Sequence, residues 1–454
     1  MKGAAYLLLA LLWARPARAG ELGDLVRQAI EQSTELAAIG ELLHAEAQRP
    51  AQVSALADPT VAIGYQNDGL TSLPYGSSMT TYFSLMATQA LPFPGKRAAR
   101  MQLAQAGLPA LRAQGERVKR TLQADIERAY LALGLANDLL GLLELQGKTW
   151  KDAERLAEAK VATGQGSVAD VLRTRIEQKR LAQQRLALQA QAGLRRIELN
   201  RWAQRPWQQP IDGPPSLAAL PREVPLAGDV SALTKDLPEL SLAQVAIEQA
   251  ERKQALATVE REPDFAVTAG VMPRGMMEPM WLISLSSSLP IHSGARQDRV
   301  VAEAVHLRAA AARGVESVQQ TAAWRVRERL AQLQTSAETL YLYGQIVDDG
   351  QAALQATLSQ YATGKAALTA VLQAANAVHA DRSNYLNTLA QWHAEAIALR
   401  EGDLGPTKAI GGGAAMANAA MPSGSAGAKS GVFGSNVPTS GEGGGSAPAS
   451  GMGM

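Results

Sequence analysis

Two very long helical stretches, each followed by a short break and a returning helix, constrain this chain more than any other feature. From Arg97 to about Val161, apolar residues recur three or four positions apart with charged residues between them, which predicts an amphipathic helix. At ~1.5 Å per residue this stretch extends up to roughly 95 Å, which is too long for an ordinary globular domain. After a break at residues 162–167, in which Ser167 is a candidate N-cap, the pattern resumes from Val168 to about Trp202. The sequence therefore predicts a long helical hairpin.

The second half of the chain repeats this plan. A helical stretch from about residue 294 to Tyr361 is followed by a break at 362–364 and by a helix from about Ala367 to Arg400. The segments Ala162-Thr163-Gly164 and Val171-Leu172 recur 200 positions later as Ala362-Thr363-Gly364 and Val371-Leu372. Segments that recur at the same offset along the chain indicate an internal duplication.

A different kind of sequence precedes each hairpin. Residues 69–95 and 279–295 contain no Asp, Glu, Lys or Arg, and the flanking segments alternate with period two. This pattern predicts four strands of about 8 to 11 residues, the length that crosses an outer membrane at a tilt. The strands fall near 61–66, 83–88, 265–271 and 281–287, with turns at Asp68–Ser78 and Pro273–Pro279. A small soluble sheet is the alternative.

Composition limits the classes that remain. Lys2, the apolar run at 4–12 and Ala17-Arg18-Ala19 predict a secretory signal peptide over residues 1–19. No later segment has 18 consecutive apolar residues, so insertion in a membrane would use strands. The chain has no cysteine, and therefore no lipid-attachment cysteine, so a lipoprotein is not expected. A net charge of +2 on 454 residues does not favour nucleic acid as a partner.

These segments define five regions: a signal peptide (1–19), a first repeat (20–205), a proline-rich crossover linker (206–236), a second repeat (237–402) and a disordered Gly/Ala/Ser-rich tail (403–454). Four strands cannot close on themselves, and an open edge in lipid would leave backbone groups unpaired. Three copies would supply 12 strands and six helical hairpins. The predicted fold is mainly α with β, with hairpins that form an α-barrel and strands that form a shared transmembrane β-barrel in a homotrimer.

The duplicated layout resembles the TolC-like outer-membrane efflux proteins over residues 21–402. Four segments carry the resemblance: Leu237-Pro238-Glu239-Leu240, the junction from Gln89 to Arg97, the junction from Leu289 to Arg296, and the tip that includes Thr163, Gly164 and Ser167. The Leu-Pro-Phe-Pro-Gly-Lys sequence within the first junction looks like the branch that serves heavy-metal pumps, with cargo such as copper, silver, cobalt, zinc or cadmium.

The resemblance implies a passive channel in the outer membrane, with its helices in the periplasm. The tips at 162–172 and 361–373 would bind a periplasmic adaptor protein, and the adaptor would link the channel to an inner-membrane pump. No enzyme activity and no cofactor are then expected. The candidate tip residues are Thr163, Gly164, Ser167, Asp170, Tyr361, Thr363 and Gly364.

Two features of the tips leave alternatives open. Related channels often carry gate aspartates at positions that correspond to Ala370 and Gln373, so a carboxylate gate is doubtful in this chain. Asp170 would meet a basic partner, or it would simply stabilise the helix dipole.

A cluster of methionines is the one candidate for metal chemistry. Met272, Met276, Met277 and Met280 lie within nine residues, and thioethers suit copper(I) or silver(I), although simple apolar packing is the favoured explanation of such a cluster. The five histidines lack metal-ligand spacing. Two other protein classes remain as alternatives: a periplasmic adaptor, which has one hairpin flanked by β-domains, and a soluble coiled-coil scaffold.

Overall fold

The computed structural model describes residues 19–69, 75–214, 216–220, 230–403 and 405. The predicted signal peptide lies outside these residues except for Ala19, and the predicted tail lies outside them except for Asp403 and Gly405. The elements are α1 (Ala19–Gln32), α2 (Thr34–Ser54), β1 (Thr60–Gln66), β2 (Tyr82–Leu91), α3 (Lys96–Gln105), α4 (Gly107–Ala162), α5 (Val168–Trp202), a 3-10 turn (Leu217–Ala219), α6 (Val230–Lys235), α7 (Pro238–Val259), β3 (Phe265–Arg274), β4 (Met277–Ser287), α8 (Gln297–Ala362) and α9 (Leu368–Glu401).

The long helices follow the predicted periodicity closely. Helix α4 has 56 residues and α8 has 66, which at ~1.5 Å per residue is about 84 Å and 99 Å. The stretch predicted from Arg97 divides into α3 and α4 at Ala106, where α2 comes close. A Cβ added at Gly107 would lie 2.4 Å from Glu46 Oε1, so a larger residue there would displace the Glu46 carboxylate. In the part of the chain that the structure describes, no helix combines the length and apolar character required to cross a bilayer.

The four helices of the two hairpins form a row. Helix α4 packs against α5 and α9, and α9 packs against α8, so the order in the row is α5–α4–α9–α8. Buried apolar side chains line the inner contacts, with Leu133 and Trp392 in the part near α1 and α7, and Trp150 and Val371 in the part near the tips. Helices α5 and α8 lie at the two ends of the row. Each therefore packs against another helix of the row on one side only.

The four strands form one antiparallel sheet in the order β1-β2-β3-β4. The predicted strand positions are confirmed, and β2 pairs with β3 to join the two repeats. Two details differ from the sequence prediction. Strand β1 has seven residues, and the turn predicted at Pro273–Pro279 is wrong because the strands extend to Arg274 and resume at Met277. Gly275 has a φ of 68°, which allows a tight turn, and Pro279 is tolerated because β4 lies at the edge of the sheet.

A buried lysine connects the sheet to the helices. Lys96 is 3% exposed, its Nζ lies 2.9 Å from Asp264 Oδ1, and it also donates to the Glu262 backbone oxygen at 2.6 Å. The backbone N–H of Phe93 donates to the same carboxylate at 3.0 Å. Partial burial raises the pKa of Asp264, but the hydrogen bonds from Lys96 and Phe93 and the lysine charge outweigh it and lower the pKa. The Gly95-Lys96 junction therefore fixes where the strands meet the helices.

Candidate functional site

The two hairpin tips have the same backbone structure. In the first tip the N–H of Gln165 donates to Lys160 O at 2.8 Å and that of Gly164 donates to Val161 O at 3.1 Å. Lys365 and Gly364 make the equivalent bonds in the second tip, at 2.8 and 3.1 Å. Both are Schellman motifs, which place a glycine in the left-handed region, and the φ values are 75° at Gly164 and 78° at Gly364. The repeated Thr-Gly pair thus encodes a helix end.

The threonines of these pairs complete the same helix ends. Thr163 Oγ1 donates to Lys160 O at 3.1 Å, and Thr363 Oγ1 donates to Gln360 O at 3.1 Å. Both threonines and both glycines are exposed, so they form the surface of the tips.

The helices that leave the two tips begin differently. Ser167 caps α5, since its Oγ accepts a hydrogen bond from the N–H of Ala169 at 3.1 Å. The predicted N-cap is therefore confirmed. Ala367 has the same extended backbone before α9 but provides no side-chain oxygen. The second hairpin therefore lacks a cap that the first one has.

Tyr361 is the residue that joins the tips to each other. It is 3% exposed, its ring lies 4.1 Å from Lys160 Nζ, and its backbone oxygen accepts a hydrogen bond from the same ammonium group. Burial, and secondly the Asp170 carboxylate, raise the pKa of the Tyr361 phenol. The structure thus places Tyr361 between the hairpins rather than on the tip surface, while Asp170 pairs at 3.6 Å with Arg173 on its own helix.

The second tip carries no acidic side chain. Residues 361–373 include Lys365 as their charged residue. Ala370 is half-buried and Gln373 is exposed, so neither position supplies a carboxylate.

The four methionines predicted as a cluster are divided between different surfaces. Met272 lies directly opposite Met280 in the β3–β4 ladder. Met276 is 96% exposed in the turn. Met277 pairs with Arg274, and a register shift separates this pair from the Met272–Met280 pair. Among the residues that the structure describes, no group of three or more His, Asp or Glu side chains could hold a metal ion.

Two residues of these surfaces were not identified from the sequence. The position equivalent to Lys160 in the second repeat is Gln360. The duplication therefore gives no indication that Lys160 contacts Tyr361. Met86 shares a sheet face with Met272, which strand alternation together with the correct β2–β3 register would have shown.

Long paired hairpins that continue into a sheet with one apolar face are the architecture of an outer-membrane channel protomer. A model of the family described as outer membrane efflux protein matches residues 25–202 and 230–402. The chain belongs to this family and is an outer membrane efflux channel protein. No curated protein sequence matches it significantly.

Solved structures share the fold at low sequence identity. CusC, described in connection with transmembrane channel formation, is 16% identical with a TM-score of 0.73, over 87% of this chain and 92% of CusC. The outer membrane protein VceC from Vibrio cholerae is 17% identical with a TM-score of 0.69, over 85% and 96% of the two chains. The open MtrE outer membrane channel of Neisseria gonorrhoeae is 19% identical with a TM-score of 0.65, over 85% and 89%.

Proposed function

We propose that three copies of this chain form a passive exit channel. Four strands from each copy close a barrel of 12 strands in the outer membrane, and the hairpins form a tube that extends into the periplasm. A periplasmic adaptor protein binds the hairpin tips and connects the tube to an inner-membrane pump, which supplies the energy. The chain then needs no catalytic residue, no cofactor and no lipid anchor.

The amphipathic sheet is the observation that carries this proposal. Its apolar face is exposed in the single chain and includes Val61, Ile63, Phe83, Leu85, Val271, Trp281, Ile283 and Leu285. At ~25 cal/mol per Å² of apolar surface, contact with lipid stabilises such a face. Strands β1 and β4 are the two edges of the sheet, and hydrocarbon requires every backbone group to be paired. Neighbouring copies would provide those partners.

The end helices of the row support the same assembly. Both present exposed apolar side chains along their length, including Leu172, Ile176, Leu186 and Leu194 on α5 and Leu307, Trp324, Tyr341 and Ile346 on α8. Helix α5 contains eight basic and three acidic residues. Between Arg329 and its end, α8 contains three acidic residues and no basic one. The basic edge of one copy therefore complements the acidic edge of the next.

Four exposed charges should meet at this contact. Lys179 and Arg180 follow Ser167 by 12 and 13 residues, and Asp348 and Asp349 precede Thr363 by 15 and 14 residues. At ~1.5 Å per residue, both pairs lie about 20 Å from the tips. Adjacent copies would bring these opposite charges to the same height.

A charge exchange tests the assembly. Asp348→Lys with Asp349→Lys, and separately Lys179→Glu with Arg180→Glu, should each reduce the trimer fraction in detergent, measured by light scattering coupled to gel filtration. The quadruple variant, in which the charges are exchanged, should restore the trimer and its conductance in planar bilayers. Lys148→Glu with Lys151→Glu, exposed positions on α4 inside the row, is the matched control and should have no effect. A wild-type chain that purifies as a monomer without conductance would refute the proposal.

The two alternative classes predict other results. A periplasmic adaptor has one hairpin with β-domains, whereas the described residues form two hairpins and one four-stranded sheet. A coiled-coil scaffold would be released from membranes by a salt wash. The proposed channel should require detergent and should run as a trimer that dissociates on heating.

A further inference from the structure

Three methionines come together on the face of the sheet opposite to its apolar face. Met272 on β3 is the direct partner of Met280 on β4. Met86 on β2 is the partner of Gly270, so Met272 is its diagonal neighbour on the same face. Directly opposed residues have Cβ atoms about 4.5–5.5 Å apart and diagonal ones about 7–8 Å, which long side chains can span. The three thioethers can therefore approach one another.

Gly270 provides the space for this approach. A Cβ added at Gly270 would lie 2.9 Å from Met86 Cγ, so the Met86 side chain lies over β3 where any other residue at 270 would obstruct it. Met272 is 8% exposed and is the one buried residue of the four strands. The glycine thus leaves room for the Met86 side chain over β3, on the face that carries the buried Met272.

Packing against lipid does not explain this placement. Most of the large apolar side chains of the strands, such as Ile63, Trp281 and Ile283, lie on the opposite face, whereas Leu282, the partner of Gly270, lies on the methionine face. The methionines share their face with small and polar residues, among them Ser84, Thr88, Thr268 and Ser284, and the Thr88 and Thr268 hydroxyls are 2.9 Å apart. In the assembly proposed above, this is the face that lines the channel.

We propose that Met86, Met272 and Met280 form a thioether site for a soft monovalent cation, copper(I) or silver(I). Sulfur donors of this kind select soft cations over harder divalent ions. Thioethers are neutral and leave the charge of the ion uncompensated, so binding is weak and the ion exchanges, as a conducting pathway requires. All three methionines belong to one chain, so the site does not depend on the assembly. The inference that such cations pass through the channel rests on the proposed function.

Silver binding to the purified full chain in detergent tests the site. The chain has no cysteine, so no thiolate competes for the metal. In chloride-free buffer, calorimetric titration with silver nitrate should show one more bound ion per chain for the wild type than for Met86→Leu/Met272→Leu/Met280→Leu. The control Met276→Leu changes the exposed methionine in the turn of the same hairpin and should keep the wild-type stoichiometry. Equal stoichiometry in the wild type and the triple variant would overturn the proposal.

Two further measurements keep the result independent of folding and of channel activity. In wild-type chain labelled with carbon-13 at the methionine methyl groups, silver should shift the Met86, Met272 and Met280 resonances and leave Met276 unchanged; shifts confined to Met276 and Met277 would overturn the site. Methionine and leucine have similar volumes, so the triple variant should keep the wild-type oligomer in gel filtration and the wild-type circular dichroism spectrum, which shows that it folds. If the wild type showed no conductance, the proposed channel function would be refuted. The silver stoichiometry would still show whether the methionine site exists.

Discussion

The Lys160 ammonium group holds the end of α8 against α4, and its removal should loosen that contact by a measurable amount. Its contact with the Tyr361 ring is a cation–π interaction worth about 1 kcal/mol at a partly exposed site. Its hydrogen bond to the Tyr361 backbone oxygen, from a charged donor, contributes about 1.5 kcal/mol. Lys160→Met keeps the aliphatic chain and loses both interactions, so opening the last turn of α8 becomes easier by about 2.5 kcal/mol. At 1.4 kcal/mol per factor of ten, this is an increase of about 60-fold in the open population.

Amide hydrogen exchange measured by mass spectrometry reports that population. The amides of Thr363, Gly364 and Lys365 donate to the last turn of α8, and their exchange should accelerate by about 60-fold where closing is faster than exchange. Lys160→Arg should remain near wild type because a guanidinium stacks on an aromatic ring and donates equally well. Lys365→Met removes the same charge from an exposed position and is the control. If Lys160→Met changed exchange less than about threefold, or if Lys365→Met changed it equally, the energies assigned to the contact would be wrong.

Three other predictions concern the tips and the strand junction. In urea unfolding, Ser167→Ala should destabilise the first hairpin by about 1 kcal/mol because it removes the cap of α5. Ala367→Ser adds the missing cap of α9 and should stabilise the second hairpin by up to about 1 kcal/mol. Effects of the same sign and size would contradict the cap assignment. Gly164→Ala should cost about 1–2 kcal/mol because of its positive φ, whereas Gly193→Ala, in the interior of α5 with open space around it, should stabilise by up to about 1 kcal/mol. Because the folded pKa of Asp264 is lowered, its stabilising effect is present above about pH 4 and is lost as the pH falls below that value. The stability difference between wild type and Asp264→Asn, followed by circular dichroism, should therefore be constant near neutral pH and disappear in acid; a difference that persisted at low pH would refute this role.

The sequence predicts the helices well because their periodicity is sustained over many turns and does not depend on distant partners. Helix α5, predicted from Val168 to about Trp202, has these bounds in the structure, and the duplicated Thr-Gly breaks located both tips. The ends of the strands were less accurate. The turn at Gly275 is set by a positive φ and by the bulge between Met272 and Arg274, neither of which alternates with period two.

The contacts between elements could not be predicted from one sequence. Grouping methionines by their separation along the chain joined Met276 and Met277 to the cluster and omitted Met86, since the register between β2 and β3 connects residues about 180 positions apart. The approach of Lys160 to Tyr361 likewise depends on how the two hairpins pack together through α4 and α9. The tip residues as an adaptor-binding surface stay a prediction.

In the proposed assembly, the unlike borders of the helical row decide between the possible symmetries. A two-fold axis would bring α5 against α5, or α8 against α8, and would place like charges in contact, whereas rotation in one direction always joins α5 to α8. Such an interface is heterologous, and it closes into a ring only when the angle between successive copies divides a full turn. A substitution that widened or narrowed this angle, even far from the strands and the tips, would keep three copies from closing the ring.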